Sequence, residues 1–214
     1  MGSGLDAIQM RIVADGLEDN VKLKISDKGP TDFLVPESFT MKDIVAKIGS
    51  IAGRNPIGRL TLMCHGIGMM AEGEINADNG QVLRLPPGAS KLVSRIYGGY
   101  GLIIGREGLN SLTVRDWTAL KGRFTPTGLV VVCGCAAADS GPTYTTASGD
   151  ILTGDGPALM KALSAATGAS VVAAVRLQQL VMDWYLSTVD RGAFVGPTYL
   201  FKPDGTQTLN VASY

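Results

Sequence analysis

Two residues of the chain have the types and positions that nucleophilic catalysis requires. His65 is the only histidine, and it follows the apolar run from Arg59 to Cys64. Cys135 is one of three cysteines and lies just beyond the apolar run from Leu129 to Cys133. An imidazole beside a thiol can accept or assist the thiol proton and so activate the sulfur. If the two runs are neighbouring strands, the pattern predicts a Cys/His dyad.

The reaction expected of such a dyad is acyl transfer from a peptide bond. Cys135 would attack the carbonyl as a thiolate and form a thioacyl-enzyme, while His65 would protonate the leaving amine and then activate water. The amides of Gly66 and Cys135 are predicted to stabilise the oxyanion, a contribution of about 10²–10³ in rate. No acidic residue has a position that requires it to orient His65, although Asp139 lies close enough in sequence to serve.

The elements that must position these residues indicate an α/β fold. Apolar strands alternate with helical segments that begin near Thr40, Thr113 and Asp155, and the strands span 59–64, 129–133 and 170–175. This order predicts right-handed crossovers and a mostly parallel central sheet with helices on both faces. Ligands of such sheets bind beyond the carboxyl ends of the strands, where His65 and Cys135 are expected.

Other segments are predicted from shorter patterns. Residues 5–13 and 21–25 are strand-like, and a closing hairpin is expected over 198–211. A surface hairpin is expected over 74–85, with Asp78-Asn79-Gly80 in its middle. The glycine-rich cluster at 98–101 is interpreted as flexible turns, because it lacks a phosphate-binding pattern.

Length and charge limit the remaining possibilities. At about 150 residues per domain, a chain of 214 residues is predicted to form one domain over 1–214, with residues 1–4 a flexible or added start. The 19 basic residues are balanced by 19 acidic ones and form no basic cluster, which argues against nucleic-acid binding. The apolar runs are far short of the ~20 residues of a membrane span. The absence of a secretory signal and the odd cysteine count predict a reduced, cytoplasmic chain.

The order of these motifs resembles the caspase-like cysteine peptidases of clan CD, in particular the bacterial caspase-haemoglobinase branch with the gingipains and separases. The resemblance covers about residues 40 to 210. It is carried by the segments Leu60–Gly66, Gly101–Leu109, Val130–Cys135, Thr167–Ala174 and Gly196–Gly205. It implies a caspase-like three-layer α/β/α sandwich and a protein or peptide substrate. It also matches His65 to the catalytic imidazole, Gly66 to the oxyanion glycine and Cys135 to the nucleophile.

One departure from this family leaves an alternative function open. Many caspase-like enzymes have a glycine two residues after the cysteine, whereas Ala136-Ala137-Ala138 follows Cys135. The alternative is a catalytically inactive caspase-like module that binds a protein or regulatory partner. Clan members are also often switched on by a ligand, a cleavage or a partner. For the peptidase, Asp139, Met182 and Trp184 are predicted to contact substrate, because they lie in segments that follow the strands.

A structural zinc site is the competing interpretation of the cysteines. Cys64, His65, Cys133 and Cys135 could supply four ligands. However, adjacent residues of a strand face opposite sides, and Cys-x-Cys is not the usual spacing of zinc ligands. Cys64 and Cys133 are therefore interpreted as small buried hydrophobes, and neither a metal nor a cofactor is predicted.

Overall fold

The structure is a computed structural model that describes residues 6–14, 24–25, 28–69, 97–140, 144–145, 151–152, 154–176, 180–183, 188–191, 194 and 196–210. Its helices are α1 (Met41–Ala52), a 3₁₀ helix (Val114–Leu120) and α2 (Gly156–Thr167). Its strands are β1 (Ile8–Ala14), β2 (Lys24–Ile25), β3 (Phe33–Val35), β4 (Ile57–Met63), β5 (His65–Met69), β6 (Tyr97–Ile103), β7 (Phe124–Cys133), β8 (Tyr144–Thr145), β9 (Ile151–Leu152), β10 (Ser170–Ala174), β11 (Leu180–Asp183), β12 (Thr188–Arg191), β13 (Thr198–Phe201) and β14 (Gln207–Asn210).

Seven strands form the central sheet, in the order β14-β13-β10-β7-β4-β1-β3. From β10 to β3 every pair is parallel, whereas β13 and β14 add two antiparallel pairs at the other edge. The predicted α/β class with a mostly parallel sheet is confirmed. The predicted closing hairpin is confirmed as well, since β13 and β14 are joined through the turn at Pro203-Asp204-Gly205.

Apart from Thr61 of β4, the buried residues of the three central strands are apolar, as is typical of parallel strands covered on both faces. Val130, Val131 and Val132 of β7 are fully buried, and so are Leu60 and Leu62 of β4. All three predicted strands form. However, β7 begins at Phe124, ahead of the predicted Leu129, because the apolar run is interrupted by Thr125, Pro126, Thr127 and Gly128.

The two α-helices begin and end at the residues that the sequence indicates. Thr40 accepts a hydrogen bond from the Asp43 amide, and the Asp43 side chain accepts one from the Thr40 amide, which is a capping box. Asp155 caps α2 by accepting from the Ala158 amide, and Gly168 ends it with a φ of 71°, in the left-handed region.

The helix expected from Thr113 forms as a 3₁₀ helix instead. The Thr113 hydroxyl donates to the Gly108 carbonyl and accepts from the Asn110 amide. It therefore makes no cap hydrogen bond to the helix that it was predicted to start. Without a cap, the segment closes with tighter bonds, such as that from the Lys121 amide to the Thr118 carbonyl.

The three described helices lie on one face of the sheet, and the described residues contain no helix on the other face, where the sequence also predicts helices. The 3₁₀ helix contacts both α1 and α2. The connections from β3 to β4, from β4 to β7 and from β7 to β10 all cross the sheet in the same direction, so right-handed crossovers place them on the same face. Only the connection from β1 to β3 runs the other way, and its described residues contain strand β2 and no helix. No helix in the described part of the chain is long and apolar enough to cross a membrane.

An ion pair attaches the edge strand β3 to β1. The Asp32 carboxylate accepts hydrogen bonds from the backbone amide, Nε and Nη2 of Arg11 at 2.7, 2.9 and 2.8 Å, and one from the Gly29 amide at 3.0 Å. Burial by itself would raise the pKa of the Asp32 carboxyl. The hydrogen bonds and the charge of Arg11 outweigh that effect and lower the pKa. Asp32 is therefore held as a carboxylate.

Candidate active site

His65 and Cys135 lie beyond the ends of two adjacent strands. β4 and β7 are parallel neighbours, and Met63 pairs with Cys133 at their carboxyl ends. His65 and Cys135 each come two residues after these paired positions. The strand adjacency that the predicted dyad requires is therefore present, and both residues lie at the same edge of the sheet.

The glycine after His65 lies directly against the backbone of Cys135. A Cβ placed on Gly66 would overlap the Cys135 carbonyl oxygen and would lie 2.8 Å from its carbonyl carbon and 3.1 Å from its nitrogen. These are backbone atoms, so a side-chain rotation cannot relieve the contact. The His65-Gly66 segment and the turn at Cys135 can approach this closely only because residue 66 has no side chain.

The Gly66 amide points away from the hairpin to which it belongs. β5 and β6 form an antiparallel pair in which Gly66 lies opposite Leu102. Leu102 exchanges two backbone hydrogen bonds with Leu109, of 2.8 and 2.9 Å, on its other side. Opposed residues of an antiparallel pair alternate between hydrogen-bonded and non-hydrogen-bonded positions, so Gly66 occupies a non-hydrogen-bonded position of this pair. Its N–H is thus not used in the β5–β6 ladder.

The turn after Cys135 is bound to the end of β10. The Ala136 amide donates to the Arg176 carbonyl and the Ala138 amide donates to the Ala174 carbonyl, both at 2.9 Å. Ala136 also has a φ of 50°, which is a strained value for a residue with a Cβ. Because these two amides are already engaged, they are not oxyanion donors. The amides of Gly66 and Cys135 remain the predicted pair.

The three cysteines differ in accessibility. Cys64 is 2% exposed and Cys133 is 3% exposed, whereas Cys135 is partly exposed, and none of the three forms a disulfide. Burial raises the pKa of the Cys64 thiol well above its usual range, and the neighbouring Cys133 and Cys135 raise it further. Cys64 is thus held as a thiol in the core. Within the described ranges, no three His, Cys, Asp or Glu side chains converge as metal ligands would.

The backbones of Asp139, Gly156 and Gly99 come into close contact next to the Cys135 turn. The Gly156 amide at the start of α2 donates to the Asp139 carbonyl at 2.9 Å. Gly99 of β6, with a φ of 88°, lies against the same two residues, since a Cβ there would overlap the Asp139 carbonyl oxygen and the Gly156 nitrogen. The glycine cluster at 98–101 is therefore part of β6, and its interpretation as flexible turns is wrong. Glycine is needed at position 99 because a side chain there would overlap the neighbouring backbones. The sequence pattern alone gave no sign of this close contact.

The predicted substrate-contacting residues are placed only in part. Asp139 lies at the close contact just described and is partly buried. Met182 lies in β11 opposite Val189. Trp184 is outside the described residues, as is the hairpin predicted over 74–85.

The antiparallel pair β5–β6 lies at the candidate site and was not predicted from the sequence. It pairs His65 directly with Ile103, whose side chain is 50% exposed. No apolar alternation marks β5, because His65, Gly66 and Gly68 interrupt it. The one sequence signal that could have indicated a strand there is the set of aromatic and β-branched residues of β6, Tyr97, Tyr100 and Ile103.

No known protein family matches this chain, and neither does any curated protein or solved structure. The resemblance to caspase-like peptidases therefore depends on the motifs themselves. The geometry at the end of β4 and β7 is the basis for assigning a function.

Proposed function

We propose that this protein is a cysteine endopeptidase that acts through a His65/Cys135 dyad, on a caspase-like three-layer fold. The main support is the parallel pairing of Met63 with Cys133, which brings the chain's only imidazole and its only accessible described thiol to one edge of the sheet. The carboxyl edge of a parallel sheet is also where α/β proteins bind their ligands.

The proposed reaction has two steps. Cys135 gives its thiol proton to His65, the resulting thiolate attacks the carbonyl carbon of the scissile peptide bond, and the carbonyl oxygen becomes an oxyanion. The C–N bond then breaks as the amine leaves with a proton from His65, so that a thioacyl-enzyme remains. His65 next takes a proton from water, the hydroxide attacks the thioester, and the Cys135 thiolate is released with a carboxylic acid product.

The Gly66 amide is the proposed donor to the oxyanion. It points away from β6, and it lies on the residue that contacts the Cys135 backbone. A substrate carbonyl under attack at the sulfur would come close to this amide. Removal of one oxyanion donor costs about 10²–10³ in rate where it has been measured, so this contact is a large part of the proposed catalysis.

Hydrolysis of a protein substrate, with each cysteine replaced in turn, tests this proposal. Cys135→Ala is expected to abolish cleavage of fluorescently labelled casein and alkylation of the folded protein by iodoacetamide. Cys133→Ala is the matched control, because Cys133 is buried and is expected to leave both readouts in place. Casein cleavage that persists in Cys135→Ala would refute the proposal. His65→Asn should reduce cleavage by about 10²–10⁴, the range of general acid–base catalysis.

A specific observation favours the second candidate, an inactive module that binds a protein partner. Ala136, Ala137 and Ala138 are 6%, 1% and 3% exposed, so the turn after Cys135 is closed and buried where a peptidase needs room for substrate. This candidate predicts no cleavage of any peptide and a rate of Cys135 alkylation no greater than that of free N-acetylcysteine. The same two assays therefore separate the candidates.

A further inference from the structure

Ile103 is an exposed apolar residue beside the imidazole-bearing position. It pairs directly with His65 across the β5–β6 ladder. Its side chain is 50% exposed, whereas the flanking Leu102 and Ile104 are fully buried. Side chains of directly opposed residues lie on the same face with Cβ atoms about 4.5–5.5 Å apart, so Ile103 and His65 are neighbours.

On the side away from β5, Ile103 lies next to a residue that has no side chain. Leu102 pairs with Leu109 through an isolated antiparallel bridge, so the chain next to Ile103 on that side continues to Gly108, which is not itself in a strand. Gly108 has no side chain, and its carbonyl is held by the Thr113 hydroxyl at 2.7 Å. The residues His65, Ile103 and Gly108 thus form a row across the ribbon in which Ile103 is the only aliphatic side chain.

The core does not account for Ile103. The neighbouring Leu102 directs its Cδ2 at Gly134, beside the Cys135 turn. Ile103 is 50% exposed and takes no part in that contact. Single exposed apolar side chains are common in proteins, so its position beside His65, and not its exposure alone, carries the inference.

We infer that Ile103 is a specificity-determining residue that contacts the first substrate residue after the scissile bond. This inference rests on the proposed peptidase function. Because His65 protonates the leaving amine, the leaving segment must pass next to the imidazole. The apolar neighbour of the imidazole then meets the first side chain of that segment, and it favours an apolar one.

The size of the preference follows from the shape of the contact. A single methylene in a closed apolar pocket changes specificity by about 10–200-fold. Ile103 stands on an open row beside a glycine, so the lower end of that range applies. We expect kcat/KM to be about tenfold higher for a peptide with Ile after the cut than for the same peptide with Ser.

The experiment digests a proteome-derived peptide library and sequences the new N-termini. The wild-type protein should enrich apolar residues at the first position after the cut, and Ile103→Ser should remove that enrichment. Ile103→Val should retain it. Leu209→Ser is the matched control, because Leu209 is a 59% exposed apolar residue on the edge strand β14, at the far side of the sheet from β5 and β6.

The outcomes separate this inference from the proposed function. Enrichment that is lost in Ile103→Ser and kept in Leu209→Ser supports the inference. If the library is cut in a Cys135-dependent way but the enrichment is absent or unchanged in Ile103→Ser, the inference is wrong and the peptidase function stands. If the wild-type protein leaves the library uncut, both are wrong.

Discussion

Replacement of Gly66 by alanine is the most direct test of how the site is built. The added methyl would overlap the carbonyl oxygen of Cys135 and lie 2.8 Å from its carbonyl carbon. Both contacts are with backbone, so β5 or the Cys135 turn must move. We expect a loss of about 2–3 kcal/mol in the free energy of unfolding, which is typical of overpacking a close contact. For a chain of this size, that lowers Tm by about 5–10 °C.

The same substitution should impair the site more than it impairs the fold. Relief of the overlap requires a displacement of about 1 Å, and a misplacement of that size costs about 10²-fold in rate. The assays are urea unfolding, for stability, and casein hydrolysis below Tm, for the site. The matched control is Gly49→Ala in α1, where an added Cβ meets nothing within 4 Å. There we expect a gain of about 1 kcal/mol from helix propensity and unchanged hydrolysis.

Two results would contradict this reasoning. The first is a Gly66→Ala protein with wild-type stability, which would mean that His65-Gly66 and the Cys135 turn are not in contact. The second is a destabilised protein with wild-type kcat/KM, which would mean that the contact supports the fold and not the site. Loss of stability in Gly49→Ala would show that the helix does not tolerate the methyl as its open surroundings indicate.

Three further substitutions test other parts of the structure. Asp32→Asn should cost about 2 kcal/mol at pH 7, because hydrogen bonds to charged groups are worth about that much. Folding lowers the pKa of Asp32, so its contribution to stability is present above the unfolded pKa of about 3.9 and is lost as the pH falls through the folded pKa. Urea unfolding at pH 7 and pH 3 should therefore show the free energies of unfolding of the variant and the wild type converging in acid. An equal difference in free energy at both pH values would refute this. Ala136→Gly should cost at least about 1 kcal/mol less than Ala137→Gly, because only Ala136 has a positive φ, and equal Tm values for the two variants would contradict that strain. Trp117 is fully buried, and its Nε1 has no hydrogen-bond partner among the described residues. Trp117→Phe should therefore lower the free energy of unfolding by less than about 1 kcal/mol, whereas Trp117→Ala should lower it by about 3–5 kcal/mol. Similar losses for the two variants on urea unfolding would show that Nε1 is hydrogen-bonded.

Local signals explain which elements could be predicted. α1 and α2 were predictable because their capping residues, Thr40 with Asp43 and Asp155 with Gly168, act on backbone groups only a few positions away in the sequence. The buried strands were predictable because a parallel strand covered on both faces is apolar throughout. The 3₁₀ helix was not, because the hydroxyl of Thr113 is used by Gly108 and Asn110, and only the folded loop places those groups around it.

Nonlocal packing explains what could not be predicted. The common face of the three described helices follows from the order of the strands and the shared direction of the crossovers, neither of which any short window of sequence contains. The β5–β6 hairpin joins His65 to Ile103 across a long stretch of chain, and glycines mask its alternation. The need for glycine at positions 66 and 99 likewise comes from backbones that are distant in sequence.

The sequence by itself determined the chemical possibilities of this protein. With one histidine and one cysteine just beyond an apolar run, it left His65 and Cys135 as the pair to consider, because residue type and local polarity are properties of single positions. Only the tertiary structure decided that β4 and β7 are neighbours in register at Met63 and Cys133, and that Gly66 lies on the Cys135 backbone. Strand order, register and close backbone contact depend on how distant segments share one sheet, and so they are decided when the whole core packs.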